Sequence, residues 1–171
     1  FTSVKMETGK QLHFTPALYW RRHQDRFELF RDNPASWYTT HNYHLTDVFG
    51  SNLNAWFSSK FGKTAFGAEF RSENIWSNVL GEAITKPVKV PGEEGHFFTK
   101  SHSRTHLSYF VEHSVYLQKF SISAGAMANW ISDLDFDWNI YPGIDMAYQI
   151  NDRFKIYSSY NTSMRMPTFT D

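Results

Sequence analysis

Apolar and polar residues alternate with a period of two along nearly the whole chain, and turn residues interrupt the alternation. A first strand is expected over about Gln11 to Phe30, with Leu12, Phe14, Pro16, Leu18 and Trp20 on one face and Gln11, His13, Thr15 and Arg21 on the other. A loop around Asp32-Asn33-Pro34 leads to a second strand, about Thr39 to Ser59. There Phe49, Leu53, Ala55 and Phe57 oppose Asn52 and Asn54, and Trp56 falls on the polar side as an exception. After Lys60–Lys63, a third strand over Thr64 to Trp76 sets Phe66, Ala68 and Phe70 against Glu69, Arg71 and Glu73. The pattern lapses from Val79 to Ser101, where KPVKVPGEEG predicts a long loop.

A fourth strand, His102 to Leu117, carries Leu107, Tyr109, Val111, Val115 and Leu117 against Arg104, His106, Ser108 and Glu112. Gln118-Lys119 turns into a fifth, where Phe120, Ile122, Ala124, Ala126, Ala128 and Trp130 oppose Ser121, Ser123, Gly125 and Asn129. Past Asp133-Leu134-Asp135, the sixth places Trp138, Ile140, Ile144, Met146, Tyr148 and Ile150 opposite Asn139, Gly143, Asp145 and Gln149. Asn151–Arg153 turns into the seventh, Phe154 to about Arg165. The tail of an earlier strand occupies Phe1 to Met6 and ends at Glu7–Lys10.

The connections alternate between short (Glu7–Lys10, Lys60–Lys63, Gln118–Lys119, Asn151–Arg153) and long. Short turns on one edge and long loops on the other are the grammar of an outer-membrane barrel, with the short edge periplasmic. Several strands also exceed the roughly 9–11 residues that cross a bilayer. The expected fold is therefore all-β, with antiparallel up-and-down strands forming part of a transmembrane barrel wall.

Composition supports this. Aromatic residues make up 18 % of the 171 residues, yet the mean hydropathy is −0.50. Aromatics beside Ser, Asn and Thr suit strands with one lipid face and one wet face. Seventeen basic residues balance seventeen acidic ones, so no charge excess calls for nucleic acid or an anionic membrane surface. There is no cysteine, and no stretch approaches the roughly twenty apolar residues of a membrane helix. A soluble β-sandwich binding carbohydrate through its aromatics is the alternative, but strands in such folds are commonly near 5–6 residues long. A passive pore is a second alternative.

The run from Tyr157 to Asp171, YSSYNTSMRMPTFTD, resembles a segment of TonB-dependent receptors, in which an aromatic-Ser-Tyr strand leads into an Arg-x-Pro-Thr-type corner and an acidic residue. Arg165, Pro167, Phe169 and Asp171 stand at the corresponding positions. The resemblance leans toward the vitamin B12 and siderophore receptors. It implies uptake of a scarce metal chelate or cobalamin-like ligand, with energy from the TonB complex acting on a plug domain inside a 22-stranded barrel. No plug, TonB-binding segment or signal peptide is visible in residues 1–171. The chain is thus expected to be about seven strands of such a barrel, cut from a larger receptor.

Under that resemblance, ligand contact falls to loop aromatics on the long-loop edge: Trp37, Tyr38, Tyr43, Phe97 and Phe98. Trp37 and Tyr43 fit an upper aromatic girdle as well. Arg165, in phase with the polar face, suits either a fixed cation for a plug carboxylate or a solvated strand end. No cofactor is expected. Eight histidines raise metal binding, but His41 and His44 face opposite ways on a strand. His102 and His106 share a face yet stand about 13 Å apart, and His96 joins His102 only if its loop folds back. No metal site is expected, nor an enzyme: Glu69, Glu73, Glu112 and Asp145 read as a solvated lumenal charge ladder, and no nucleophile motif accompanies them.

Overall fold

The computed structural model describes residues 2–5, 12–33, 35–134, 137–165 and 169. Among them the chain forms one nine-stranded antiparallel sheet. The strands are β1 (Thr2–Lys5), β2 (Leu12–Phe27), β3 (Asn42–Ser59), β4 (Gly62–Ser77), β5 (Glu82–Lys89), β6 (Phe97–Leu117), β7 (Phe120–Ile131), β8 (Asn139–Asn151) and β9 (Phe154–Asn161). Apart from β5, each pairs with its neighbours in chain order, giving an up-and-down meander. A sandwich would divide these strands between two packed layers; here they share one sheet. The expected turn at Glu7–Lys10 lies outside the described residues.

Two expectations need correction. The segment Val79–Ser101 is not all loop: it contains β5 and the first residues of β6, joined as a hairpin. Pro87 hides this strand, because proline suggests a break; it is tolerated here because β5 lies at an edge and its register shifts between Ala83 and Val88. The last strand stops at Asn161 rather than near Arg165. Beyond it, Thr162 still donates its N–H to the Pro142 carbonyl at 3.1 Å.

Lys100 pairs with Ser77 of β4 on one edge and Ala83 of β5 on the other, so the chain crosses over β6 between those two strands. Gly81 makes the crossing at φ +93°, and a Cβ there would sit 2.6 Å from the Ser101 carbonyl oxygen. No other residue type fits so close an approach in that conformation.

Register decides which residues share a face. Phe66 stands opposite Val111, Val111 opposite Ala126, and Ala126 opposite Pro142. In the opposite phase, Glu69 stands beside Ser108, Arg71 beside His106, Glu73 beside Arg104, Glu112 beside Ala65 and Gly125, and Asp145 beside Ser123. One face is thus a continuous apolar surface, with Val111 52 % and Ile140 68 % exposed. The other carries the charges.

The apolar rows run obliquely across the ladder. In β2 they extend from Leu12 to Trp20, centred on Pro16, before Arg22 ends them. The row of Pro16 passes through Leu53, Ala68, Tyr109 and Ala128 to Ile140. In β8 the apolar residues run from Ile140 to Ile150, so the centre lies roughly five residues further along. That is about 17 Å down the strand against about 24 Å across the sheet, an inclination of roughly 35°. Strands of closed barrels tilt by about 35–45° to the axis. The oblique band is what a tilted wall needs to meet a level slab of hydrocarbon.

The polar face is built to let backbones pack. The Tyr19 ring lies over Gly50, where a Cβ would collide with it, and its hydroxyl donates to Glu69 Oε1 at 3.3 Å. Trp56 is explained in the same way. Its ring stacks on His13 with centroids 3.8 Å apart, and Lys63 Nζ lies 4.1 Å from its centroid, so it stands among polar neighbours as a π-surface.

Candidate functional site

The long-loop edge carries the side chains that fit a binding function. Between β2 and β3, Phe30, Trp37 and Tyr38 form an edge-to-face cluster with centroids 5.5–6.0 Å apart. The Tyr38 hydroxyl accepts from the Leu29 N–H at 3.0 Å and bonds His41 Nδ1 at 2.9 Å. Asn78 then clips this loop to the end of β4, accepting from the Tyr43 N–H at 2.9 Å and donating to the His41 carbonyl at 2.8 Å.

The tip of the β5–β6 hairpin folds back over the same edge. Tyr43, Leu45, Val90 and Phe98 form a small buried core, with Trp76 packed against it. Full burial of such side chains contributes about 1.5–3 kcal/mol each. Around this core, Gln24 donates to the Pro91 carbonyl at 2.8 Å, and Arg26 pairs with Glu93 at 2.7 Å and Glu28 at 2.6 Å. Glu28 also accepts from Arg31 at 3.1 Å. The hydrogen bond from Arg31, with Arg26 beside it, holds the Glu28 carboxyl below the usual carboxylate range.

A second anchor stands on the polar face. Asp133, in the β7–β8 loop, accepts from Arg104 Nε at 2.7 and 3.0 Å and lies 3.0 Å from His102 Nε2. Burial pushes the Asp133 carboxyl up, but the bonds from His102 and Arg104 outweigh it and hold the group below its ordinary value. Phe169 covers this cluster, with its ring 4.7 Å from the Arg104 guanidinium carbon and 5.6 Å from the His102 ring. The Ser132 N–H donates to the Thr105 carbonyl at 3.0 Å and the Thr105 N–H to Ser132 Oγ at 2.9 Å, which fixes the loop beside them.

The predicted loop aromatics divide by environment. Trp37 is 65 % and Phe97 41 % exposed, Tyr38 is half-buried, and Tyr43 and Phe98 lie inside the hairpin core at 2 % and 0 %. Arg165 is exposed beyond the end of β9, Phe169 meets Arg104, and Pro167 and Asp171 lie outside the described residues. His96 packs beside Tyr43 with centroids 4.8 Å apart, and His102 is engaged by Asp133, so the two do not converge. Glu112 accepts from Ser123 at 2.6 Å, Asp145 from Asn161 at 3.2 Å, and Glu73 meets Arg71 at 3.4 Å. Sequence reasoning missed the Asp133 cluster, since its partners lie 29 and 31 residues away.

An oblique apolar band, a charged opposite face, tight turns on one edge and aromatic loops on the other define a wall of an outer-membrane β-barrel. Residues 5–171 match the family model described as TonB dependent receptor-like, beta-barrel, and the chain belongs to that family. No curated protein and no solved structure matches it. The protein is accordingly a bacterial outer-membrane component of TonB-dependent transport, a transporter rather than an enzyme. The apolar face meets lipid and the charged face lines the lumen.

Proposed function

We propose that this wall belongs to a receptor importing a scarce metal chelate or a cobalamin-like ligand. TonB would energise it through a plug domain encoded outside residues 1–171. The sheet supports the larger assembly: among the described residues β1 pairs only with β2 and β9 only with β8, so further strands are needed to close a barrel. Arg165, Pro167, Phe169 and Asp171 follow β9 in sequence at the positions of the receptors' corner motif, and the packing of Phe169 on Arg104 supports that role for Phe169.

The observation that carries the ligand reading is the shape of the long-loop edge. Rigid aromatics lose little entropy on binding, and a planar or conjugated chelate offers them apolar area. Trp37, Tyr38 and Phe97 present the contact surface, while Tyr43 and Phe98 hold the loops that carry it.

The test uses the full-length receptor and a panel of ferric chelates with cobalamin. One member is expected to bind and to enter cells only while TonB is intact. Trp37→Ala with Phe97→Ala should weaken its binding by about tenfold or more, consistent with the loss of two aromatic anchors. Uptake that survives loss of TonB would point to a passive pore.

A further inference from the structure

The short-turn edge repeats one feature that transport does not explain. Each of its three described turns carries a basic residue followed at once by phenylalanine: Lys60-Phe61, Lys119-Phe120 and Arg153-Phe154. All three phenylalanines are exposed, Phe61 at 69 %, Phe120 at 52 % and Phe154 at 64 %. Lys60 Nζ stands 5.0 Å from the Phe61 ring centroid, and Phe120 packs on Tyr148 with centroids 4.4 Å apart. Phe120 and Phe154 also lie in phase with the apolar face, at the lower end of its band.

The three turns share one depth. Following the register from hairpin to hairpin, each turn lies roughly two to three residues below the previous one, about 7–10 Å, for about 10 Å across the sheet. That stagger gives the same inclination as the apolar band, so all three sit at one level of the tilted wall.

Their charges lack the ion pairs that hold four arginines of the opposite edge, although Lys86, Lys89 and Lys100 there make none among the described residues either. There Arg22 is paired with Asp47, Arg26 with Glu28 and Glu93, Arg31 with Glu28, and Arg104 with Asp133. Among the described residues, Lys60, Lys119 and Arg153 make no ion pair; the only hydrogen bond made by one of their side chains is from Lys119 Nζ to the Ile150 carbonyl, at 3.5 Å. Asp152 is the one carboxylate in the three turns.

Uncompensated cations call for an anionic partner, and the adjacent exposed rings call for an apolar layer directly above it. We propose that these three dyads are an anchoring site for anionic phospholipid headgroups of the periplasmic leaflet. Each Lys or Arg takes a phosphate, and each Phe enters the boundary between headgroups and acyl chains. The row fixes the height of the wall in the membrane from its short-turn side.

The test uses the full-length protein reconstituted in phosphatidylcholine vesicles holding a trace of spin-labelled phosphatidylglycerol or spin-labelled phosphatidylcholine. The motionally restricted fraction of each probe gives its relative association. Wild type is expected to prefer phosphatidylglycerol by about threefold to tenfold at low salt, less as salt screens the charges. The combined variant Lys60→Gln, Lys119→Gln, Arg153→Gln should bring the two lipids close to parity. Lys60→Arg with Lys119→Arg, which keeps the charge, should retain the preference and guards against a folding defect. An unchanged preference in the Gln variant would overturn the proposal. If that variant then also loses binding of a soluble poly-glutamate peptide that wild type binds, the row is assigned to an acidic protein instead.

Discussion

Phe98→Ala is expected to destabilise docking of the β5–β6 hairpin tip by about 3–5 kcal/mol, the cost of truncating a fully buried aromatic. Amide exchange at the tip should then accelerate more than about a hundredfold, since each tenfold is about 1.4 kcal/mol. The amides to follow are those of Val90, bonded to the His96 carbonyl at 3.0 Å, and Glu93, bonded to the Val90 carbonyl at 3.2 Å. Phe97→Ala provides the control. Its ring is 41 % exposed, whereas that of Phe98 is wholly enclosed by Tyr43, Leu45 and Val90. The control should change exchange by less than about 1 kcal/mol, as exposed substitutions do. Equal effects from the two would mean that the hairpin tip is not held by this core.

The second large effect concerns the lipid face. Val111 lies near the middle of the apolar run of β6 and is 52 % exposed toward the hydrocarbon. Val111→Arg should lower the folding stability of the full-length protein in lipid vesicles by about 2–4 kcal/mol, toward the upper end for arginine near the midplane. Ser159→Arg adds the same side chain on the lumen face, opposite Asp145, and should cost less than about 1 kcal/mol. Denaturant titration of both variants in the same vesicles measures the difference.

Much of this architecture is legible in the sequence because a tilted wall imposes period two on every strand. Phe66-Ala68-Phe70 and Leu107-Tyr109-Val111 announce their face without help from any partner, and the register then joins them row to row. Where neither face meets lipid, the signal fades. The residues of β5 pair on one edge above the bilayer, so Lys86-Pro87-Val88-Lys89 has no apolar phase to show and reads as loop. Loop packing is harder still. Nothing local distinguishes Phe97 from Phe98, because the core that buries one of them is assembled from β3 and the hairpin tip.

The charged residues follow the same division. Arg104 and Glu112 are placed on the lumen face by phase alone, yet the bond from Arg104 to Asp133 depends on the register of β7 against β6, which continues past His106–Ile131 to bring the two side by side. Phe169 shows both sides of the matter. The corner motif singles it out by resemblance, but its contact with Arg104 and His102 of β6 cannot be read from the sequence, since those partners lie more than sixty residues earlier.

The most direct test of the wall itself reads its two faces at once. Single cysteines at Phe70, Val111 and Ile144 in the full-length receptor would carry spin labels facing lipid, and cysteines at Arg71 and Glu112 labels facing the lumen. A one-residue slip of register would exchange the sets, so the pattern tests every strand pairing together. The first three labels are expected to relax with membrane-dissolved oxygen, and the last two to show little oxygen effect and to relax with a water-soluble agent wherever the plug leaves them open. Two sets that behave alike, or that swap, would contradict the barrel-wall account.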